Sequence, residues 1–178
     1  MTDFTPTLPS PSGTSGPRVL VLGGGAVVRE CFAPALAALG VADRSTIVDP
    51  VNATPETYPG FRVDRSDFRT VLERADLDAT HCVVALPNAL HVEAVTLALR
   101  RGLHVLCEKP LSLSAEECRT LHGEAGRCQR LLGVNMVRRL FHSVQAASRA
   151  LAFGWVGELT SVSIAHGGAY GWPIASLA

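Results

Sequence analysis

The sequence predicts an α/β fold built on a doubly wound parallel sheet, and three observations carry that expectation. From Arg18 onward, short β-branched apolar runs alternate with segments of helical period, the pattern of βαβ units. The first run ends in Gly23-Gly24-Gly25 and opens directly into a helical segment, the position a phosphate-binding turn occupies. The run from His81 to Leu86 is continuously apolar at its centre, as a strand buried on both faces should be.

Taken in order, Val19 to Leu22 is the first strand, followed by a helix from about Ala26 to Leu39 that Pro34 should kink or break near Cys31. Thr46 to Asp49 reads as the second strand, Phe61 to Val63 as a weak third, and a short helix follows Ser66. After the fourth strand, the helix from Ala89 to Arg101 places Leu90, Ala94, Leu97 and Ala98 on one face. It stops at a pair of arginines followed by Gly102. His104 to Cys107 is the fifth strand. Ser114 and Glu117 form a capping box that opens a helix to about Ala125, closed by Gly126. Leu131 to Asn135 is the sixth strand, a helix covers Phe141 to Phe153 with Gly154 behind it, and Leu159 to Ala165 reads as a seventh strand. Six strands of this kind fit the order 3-2-1-4-5-6. The seventh lies outside that pattern and is expected to begin a second sheet, so the chain divides into a disordered leader over 1–16, a dinucleotide-binding domain over 17–155 and the start of another domain over 156–178.

The bulk composition narrows the function classes. A chain of 178 residues buries roughly 70% of its unfolded surface, enough for a core without staples. Sixteen basic and sixteen acidic residues cancel and neither sign is concentrated, so neither a nucleic-acid footprint nor a membrane-binding face is expected. No apolar stretch approaches the ~20 residues of a membrane span, and no signal peptide is expected at the amino end. The cysteines Cys31, Cys82, Cys107, Cys118 and Cys128 are odd in number and lack a C-x-x-C pair, which points to reduced thiols and a cytoplasmic setting. Small molecules are the expected partners.

Several residues carry chemistry. Gly23 permits the tight turn, and Gly25 lets the backbone of Gly25, Ala26 and Val27 approach a pyrophosphate at a helix N-terminus. Val28 stands where the fingerprint has its third glycine. Asp49 ends the second strand, 26 positions after Gly23, where a carboxylate would accept from an adenosine ribose and repel a 2′-phosphate. That favours NAD, with NADP as the alternative because Arg62 and Arg65 could assist a phosphate; the competing role for Asp49 is a loop aspartate before Pro50. Leu86-Pro87-Asn88 leaves the fourth strand at the edge where open α/β sheets bind ligands, although Asn88 could equally be a plain N-cap. His91, in the next helix's first turn, could donate to a ligand or sit satisfied at a helix end. Lys109 is the only lysine beside fifteen arginines, and it leaves the fifth strand at that same edge. A compact ammonium can hold or protonate a substrate oxygen where a planar guanidinium cannot, and Glu108 alongside can bind a ribose hydroxyl or orient the lysine.

The stretches "VLVLGGG", "VVALPNALH" and "HVLCEKPLS", in that order, resemble the Gfo/Idh/MocA oxidoreductases. The resemblance implies a Rossmann domain binding NAD(P), followed by an α+β domain that shapes the substrate site and often makes the homo-oligomer contact. It implies pyrophosphate binding by Gly23 and Gly25, an acidic ribose ligand at Asp49, and cofactor contacts from Pro87, Asn88, His91 and Glu108. Lys109 would lie by the nicotinamide and the substrate hydroxyl of a sugar, polyol or cyclitol, with Asn135 and Arg138 or Arg139 at the substrate end. "GELTSVSIAHGG" looks like the entry to the second domain and "YGWP" is similar to a stretch before that domain's core. The family's later aspartate and histidine motif is not found before Ala178, and His122, His142 and His166 do not replace it. Two other readings therefore stand beside a dehydrogenase: a nucleotide-binding module that transfers nothing, and an interaction protein pairing through residues 159–165.

Overall fold

The computed structural model describes residues 16–165. Most of the leader and everything past residue 165, including the "YGWP" stretch, lie outside the described residues. Within them, six strands form one parallel sheet in the order β3-β2-β1-β4-β5-β6: β1 (Val19–Leu22), β2 (Ser45–Val48), β3 (Arg62–Asp64), β4 (His81–Val84), β5 (His104–Cys107) and β6 (Leu132–Val134). The central strand β1 is registered Val19 to Ser45 on one side and Val19 to His81 on the other. The expected order is observed, and the strand ends shift by one or two residues.

Alternation along β1 divides the core between the two faces of the sheet. Leu20 and Leu22 pack with Phe68, Val71, Val84, Ala94, Leu99 and Leu121, beneath α2 (Phe68–Glu73), α3 (His91–Arg100) and α4 (Ala115–Cys128). Val19 and Val21 pack on the other face with Val28, Leu36, Ile47 and Tyr58. Because side chains alternate with period two, four consecutive apolar residues serve both layers, and all four are buried.

The first crossover helix is irregular for the expected reason. It contains a π-helical turn, Val28–Phe32, in which the N–H of Ala33 donates back to the carbonyl of Val28, and then continues as α1 (Ala33–Ala38). Pro34 cannot donate to the carbonyl four residues earlier and its ring crowds it, so the wider turn just before it relieves the conflict without ending the helix.

Three details differ from expectation. α4 runs through Gly126 to Cys128, and Gln129 at φ 54° makes the left-handed cap. The N–H of Arg130 reaches the carbonyl of Ala125 at 2.9 Å, closing a Schellman-type end with a non-glycine residue. Half of the expected capping box forms: Ser114 Oγ accepts from the N–H of Glu117 at 3.4 Å, but the Glu117 carboxylate turns to Ser112 Oγ. Leu159–Ala165, expected as a seventh strand, has no strand assignment. A strand exists only through ladder bonds to a neighbour, and no described segment supplies one. The last helix among the described residues, α5 (His142–Ala152), buries none of its residues.

Candidate functional site

In a parallel sheet all carboxyl ends share one edge, and the chain leaves β1, β2, β4, β5 and β6 there with its chemically distinctive residues. The turn after β1 sits against the start of the β4 loop. Gly23 adopts φ 103°, and a Cβ on it would run into the carbonyl oxygen of Ala85. Only glycine fits both the angle and the gap. A Cβ on Gly24 would lie 3.0 Å from the Cβ of Asp49, so the middle glycine allows the turn and the β2 loop to touch. A Cβ on Gly25 meets nothing within 4 Å.

The carbonyl of Gly25 accepts the first helical bonds, from the N–H groups of Val28 and Arg29, both at 3.1 Å. Among the described residues the N–H groups of Gly25, Ala26 and Val27 meet no acceptor. Three consecutive free donors at the positive end of a helix, with open space beside Gly25, fit a diphosphate.

Asp49 is heavily engaged. Its Oδ1 accepts from the backbone N–H of Val51 (2.8 Å) and Asn52 (2.7 Å), and its Oδ2 from the N–H of Gly24 (2.8 Å). The Asn52 amide lies 3.3 Å from both oxygens. Burial works against ionisation, but the hydrogen bonds from Asn52, Val51 and Gly24 outweigh it and hold the carboxyl below its usual range. Asp49 thus ties the two loops together. Of the two arginines considered for a 2′-phosphate, Arg65 donates to the carbonyl of Pro50 at 3.2 Å, beside this loop. Arg62 opens β3 at the opposite edge and lines a cleft of about 260 Å³ with Arg44, Asp64 and Arg74, which shares no residue with the glycine turn.

At the other end of the edge, β5 leads into Glu108-Lys109. The N–H of Glu108 still bonds the carbonyl of Val84 at 2.8 Å, so the loop starts in register. Asn135, leaving β6, donates its amide to Glu108 Oε1 at 2.7 Å, and the N–H of Lys109 bonds Oε2 at 3.2 Å. With both oxygens held, Glu108 is a fixed carboxylate beside an exposed lysine that makes no ion pair among the described residues. The Lys109–Pro110 peptide is cis.

His91 is placed differently from a cofactor contact. Its ring is fully buried, with Nδ1 at 2.8 Å from the carbonyl of Pro110 and Nε2 at 2.8 Å from that of Leu86. A buried ring with both nitrogens occupied cannot reach a ligand; it braces the β4 and β5 loops against each other. Pro87 and Asn88 are exposed at the edge. Asn88 lies within a 3-10 turn, Asn88–Leu90, without capping it through its side chain, so the plain N-cap role is not the one it plays. Arg138 and Arg139 lie exposed in the turn Val137–Leu140, and no hydrogen bond joins them to Glu108 or Lys109 among the described residues.

Tyr58 was not anticipated. Its hydroxyl donates to the carbonyl of Gly24 at 2.8 Å across 34 positions, and in the sequence only its being a large aromatic residue in an otherwise polar loop distinguishes it.

Comparison with known proteins agrees with this arrangement. The family described as oxidoreductases with an NAD-binding Rossmann fold (Gfo/Idh/MocA) matches residues 17–136. The chain is 30% identical over 149 residues to the 1,5-anhydro-D-fructose reductase of Ensifer adhaerens, covering 82% of this chain and 44% of that protein. It is 33% identical over 153 residues to a dTDP-3,4-didehydro-2,6-dideoxy-alpha-D-glucose 3-reductase of Streptomyces violaceoruber, covering 82% and 43%. Among solved structures, a 3-ketoreductase from Actinomadura kijaniata in complex with NADP and TDP-benzene superposes with a TM-score of 0.67 at 28% identity, over 79% of this chain and 43% of that one. The matched part of this chain therefore covers less than half the length of each of these relatives. With the glycine turn and the Glu-Lys-Pro loop on one edge of a 3-2-1-4-5-6 sheet and the family match running across both, the chain belongs to the Gfo/Idh/MocA oxidoreductase family with its NAD-binding Rossmann fold.

Proposed function

We propose that this chain supplies the cofactor-binding half of an NAD(P)-dependent oxidoreductase acting on a secondary hydroxyl, or the corresponding ketone, of a sugar, polyol or cyclitol. The observation that carries the reading is the shared edge: three unpaired N–H groups of Gly25, Ala26 and Val27 near β1, and Lys109 with its fixed Glu108 past β5. The relatives named above are a 1,5-anhydro-D-fructose reductase, a 3-reductase of a dTDP-linked deoxysugar and a 3-ketoreductase, which supports the substrate class.

The turn holds the cofactor's diphosphate by N–H donation, and Pro87 and Asn88 lie exposed along the path toward Lys109. The bound nicotinamide would accept or return a hydride. Lys109 holds the substrate oxygen through its ammonium, which stabilises charge developing there and can pass a proton to or from that oxygen. Glu108, held by Asn135, lies next to it and orients the lysine. Asn135 thus acts behind Glu108, while Arg138 is assigned to the substrate end on its exposure past β6. Asp49 is assigned to a ribose hydroxyl, which would take the place of the long 3.3 Å contact from the Asn52 amide on Oδ2 while the Gly24 bond stays; a carboxylate there favours NAD, with NADP as the alternative.

The test is an assay of the full chain with NAD and a panel of polyols and cyclitols, following reduction of the cofactor, with Lys109→Ala in parallel. Turnover that Lys109→Ala loses while still binding NAD supports the reading. Turnover untouched by Lys109→Ala overturns the role of the lysine. Binding of NAD without turnover on any substrate favours the second reading, a nucleotide-binding module.

A further inference from the structure

The middle glycine of the turn is gripped on both of its peptide groups by side chains from a different loop. Its N–H donates to Asp49 Oδ2 at 2.8 Å, and its carbonyl accepts from the Tyr58 hydroxyl at 2.8 Å. Tyr58 lies in the connection between β2 and β3 and is 1% exposed. Its own loop is braced locally, since the N–H of Tyr58 bonds the carbonyl of Thr54 at 3.0 Å and the N–H of Phe61 bonds that of Tyr58 at 3.2 Å.

We propose that Tyr58 is a positioning residue for the diphosphate-binding turn, setting the direction of the Gly25 N–H through the carbonyl of Gly24. The inference rests on the reading of that turn as the cofactor's diphosphate site. The carbonyl of Gly24 and the N–H of Gly25 belong to one planar trans peptide, so they point in opposite directions. Fixing the carbonyl on Tyr58 therefore aims the Gly25 N–H to the opposite side, where it meets no acceptor among the described residues, and a Cβ on Gly25 would find open space. Three consecutive glycines have more backbone freedom than any other tripeptide, and without a clamp that peptide could rotate and turn its carbonyl toward the phosphates. A flipped peptide replaces an attractive donor with a repelling acceptor, so the clamp affects affinity more than it affects folding. Burial pushes the phenol above its usual range, which keeps the hydroxyl a donor at neutral pH.

Titration of the full chain with NAD and with ADP, which carries the diphosphate without the nicotinamide, tests this on three proteins: wild type, Tyr58→Phe and Val71→Ala. Val71 is buried on the opposite face of the sheet, so its truncation destabilises the fold without touching the turn. The expected result is a Kd raised about tenfold for both ligands in Tyr58→Phe, and within about twofold of wild type in Val71→Ala, although the latter unfolds at the lower temperature. Equal affinities in wild type and Tyr58→Phe overturn the proposal, and so does an equal loss in both variants, because affinity would then merely follow stability. A wild-type chain that binds neither ligand fails at the earlier step and removes the diphosphate reading together with the proposal.

Discussion

The glycine turn and the stretch from Met136 to Ala165 are both rich in apolar residues, yet they sit in opposite environments. Around the turn, Leu22, Val28, Val48 and Val84 are essentially inaccessible to water. In the later stretch Leu140 is 66% exposed, Phe153 70% and Trp155 76%, and α5 buries nothing. The two rings of Phe153 and Trp155 stack on each other at 5.7 Å rather than on the sheet. Apolar composition therefore does not by itself make core. What packs the first region is the crossover: β1, β3, β4 and β5 are each followed by a helix that returns its apolar face to the sheet, whereas α5 follows β6 and, among the described residues, has no further strand to return to.

The largest effects should come from breaking the turn. Gly23→Val forces a β-branched side chain to φ 103° and into the carbonyl of Ala85, and should cost about 3 kcal/mol in chemical denaturation and abolish NAD binding. Next is the contrast between two leucines. Leu99→Ala, from a fully buried site, should cost about 3 kcal/mol, and Leu151→Ala, from the exposed helix, less than about 0.5 kcal/mol. Similar costs would show that α5 is packed and would dissolve the comparison.

A smaller effect concerns acid stability. Asp49 has a folded pKa below its ordinary value of 3.8, so it contributes stability that is fully present above that value and is lost as pH falls through the lower folded one. Asp49→Asn should therefore be less stable than wild type at neutral pH, with the gap closing below pH 3.8 in urea titrations at successive pH values. The mildest probe is thiol labelling of the native chain. Burial pushes the Cys107 thiol up to about 12 and raises Cys82 further, so both should resist labelling until the protein unfolds, whereas exposed Cys31 should react at once.

The parts of the fold legible in the sequence were those with a local signature. Apolar runs punctuated by glycine and proline gave six strands in the correct order, Pro34 announced the irregular first helix, and "EKP" after a strand placed Lys109 at the right edge. The illegible parts depend on partners remote in the chain. Nothing near Tyr58 shows that its hydroxyl meets Gly24, and nothing near His91 shows that two carbonyls, one of them 19 positions away, consume its ring. Asp49 was recognisable as a loop carboxylate with local donors from Val51 and Asn52, but the third backbone donor, Gly24, comes from 25 positions away and is brought to it only by the pairing of β2 with β1. Leu159–Ala165 has strand composition without a described neighbour, and composition cannot supply one. Gly126 marked the wrong end of α4, because a helix end is fixed by where its last carbonyls find donors, and those donors come from Gln129 and Arg130.

The most direct measurement of the central claim is a calorimetric titration of the full chain with NAD and with NADP, beside Gly25→Trp. Because a Cβ at residue 25 meets nothing within 4 Å, the tryptophan can enter the diphosphate's space without disturbing the fold. The account predicts saturable binding of NAD, weaker binding of NADP, and loss of both in Gly25→Trp with an unchanged circular dichroism spectrum. Undiminished binding by Gly25→Trp would contradict it, since the cofactor would then be held somewhere other than the glycine turn.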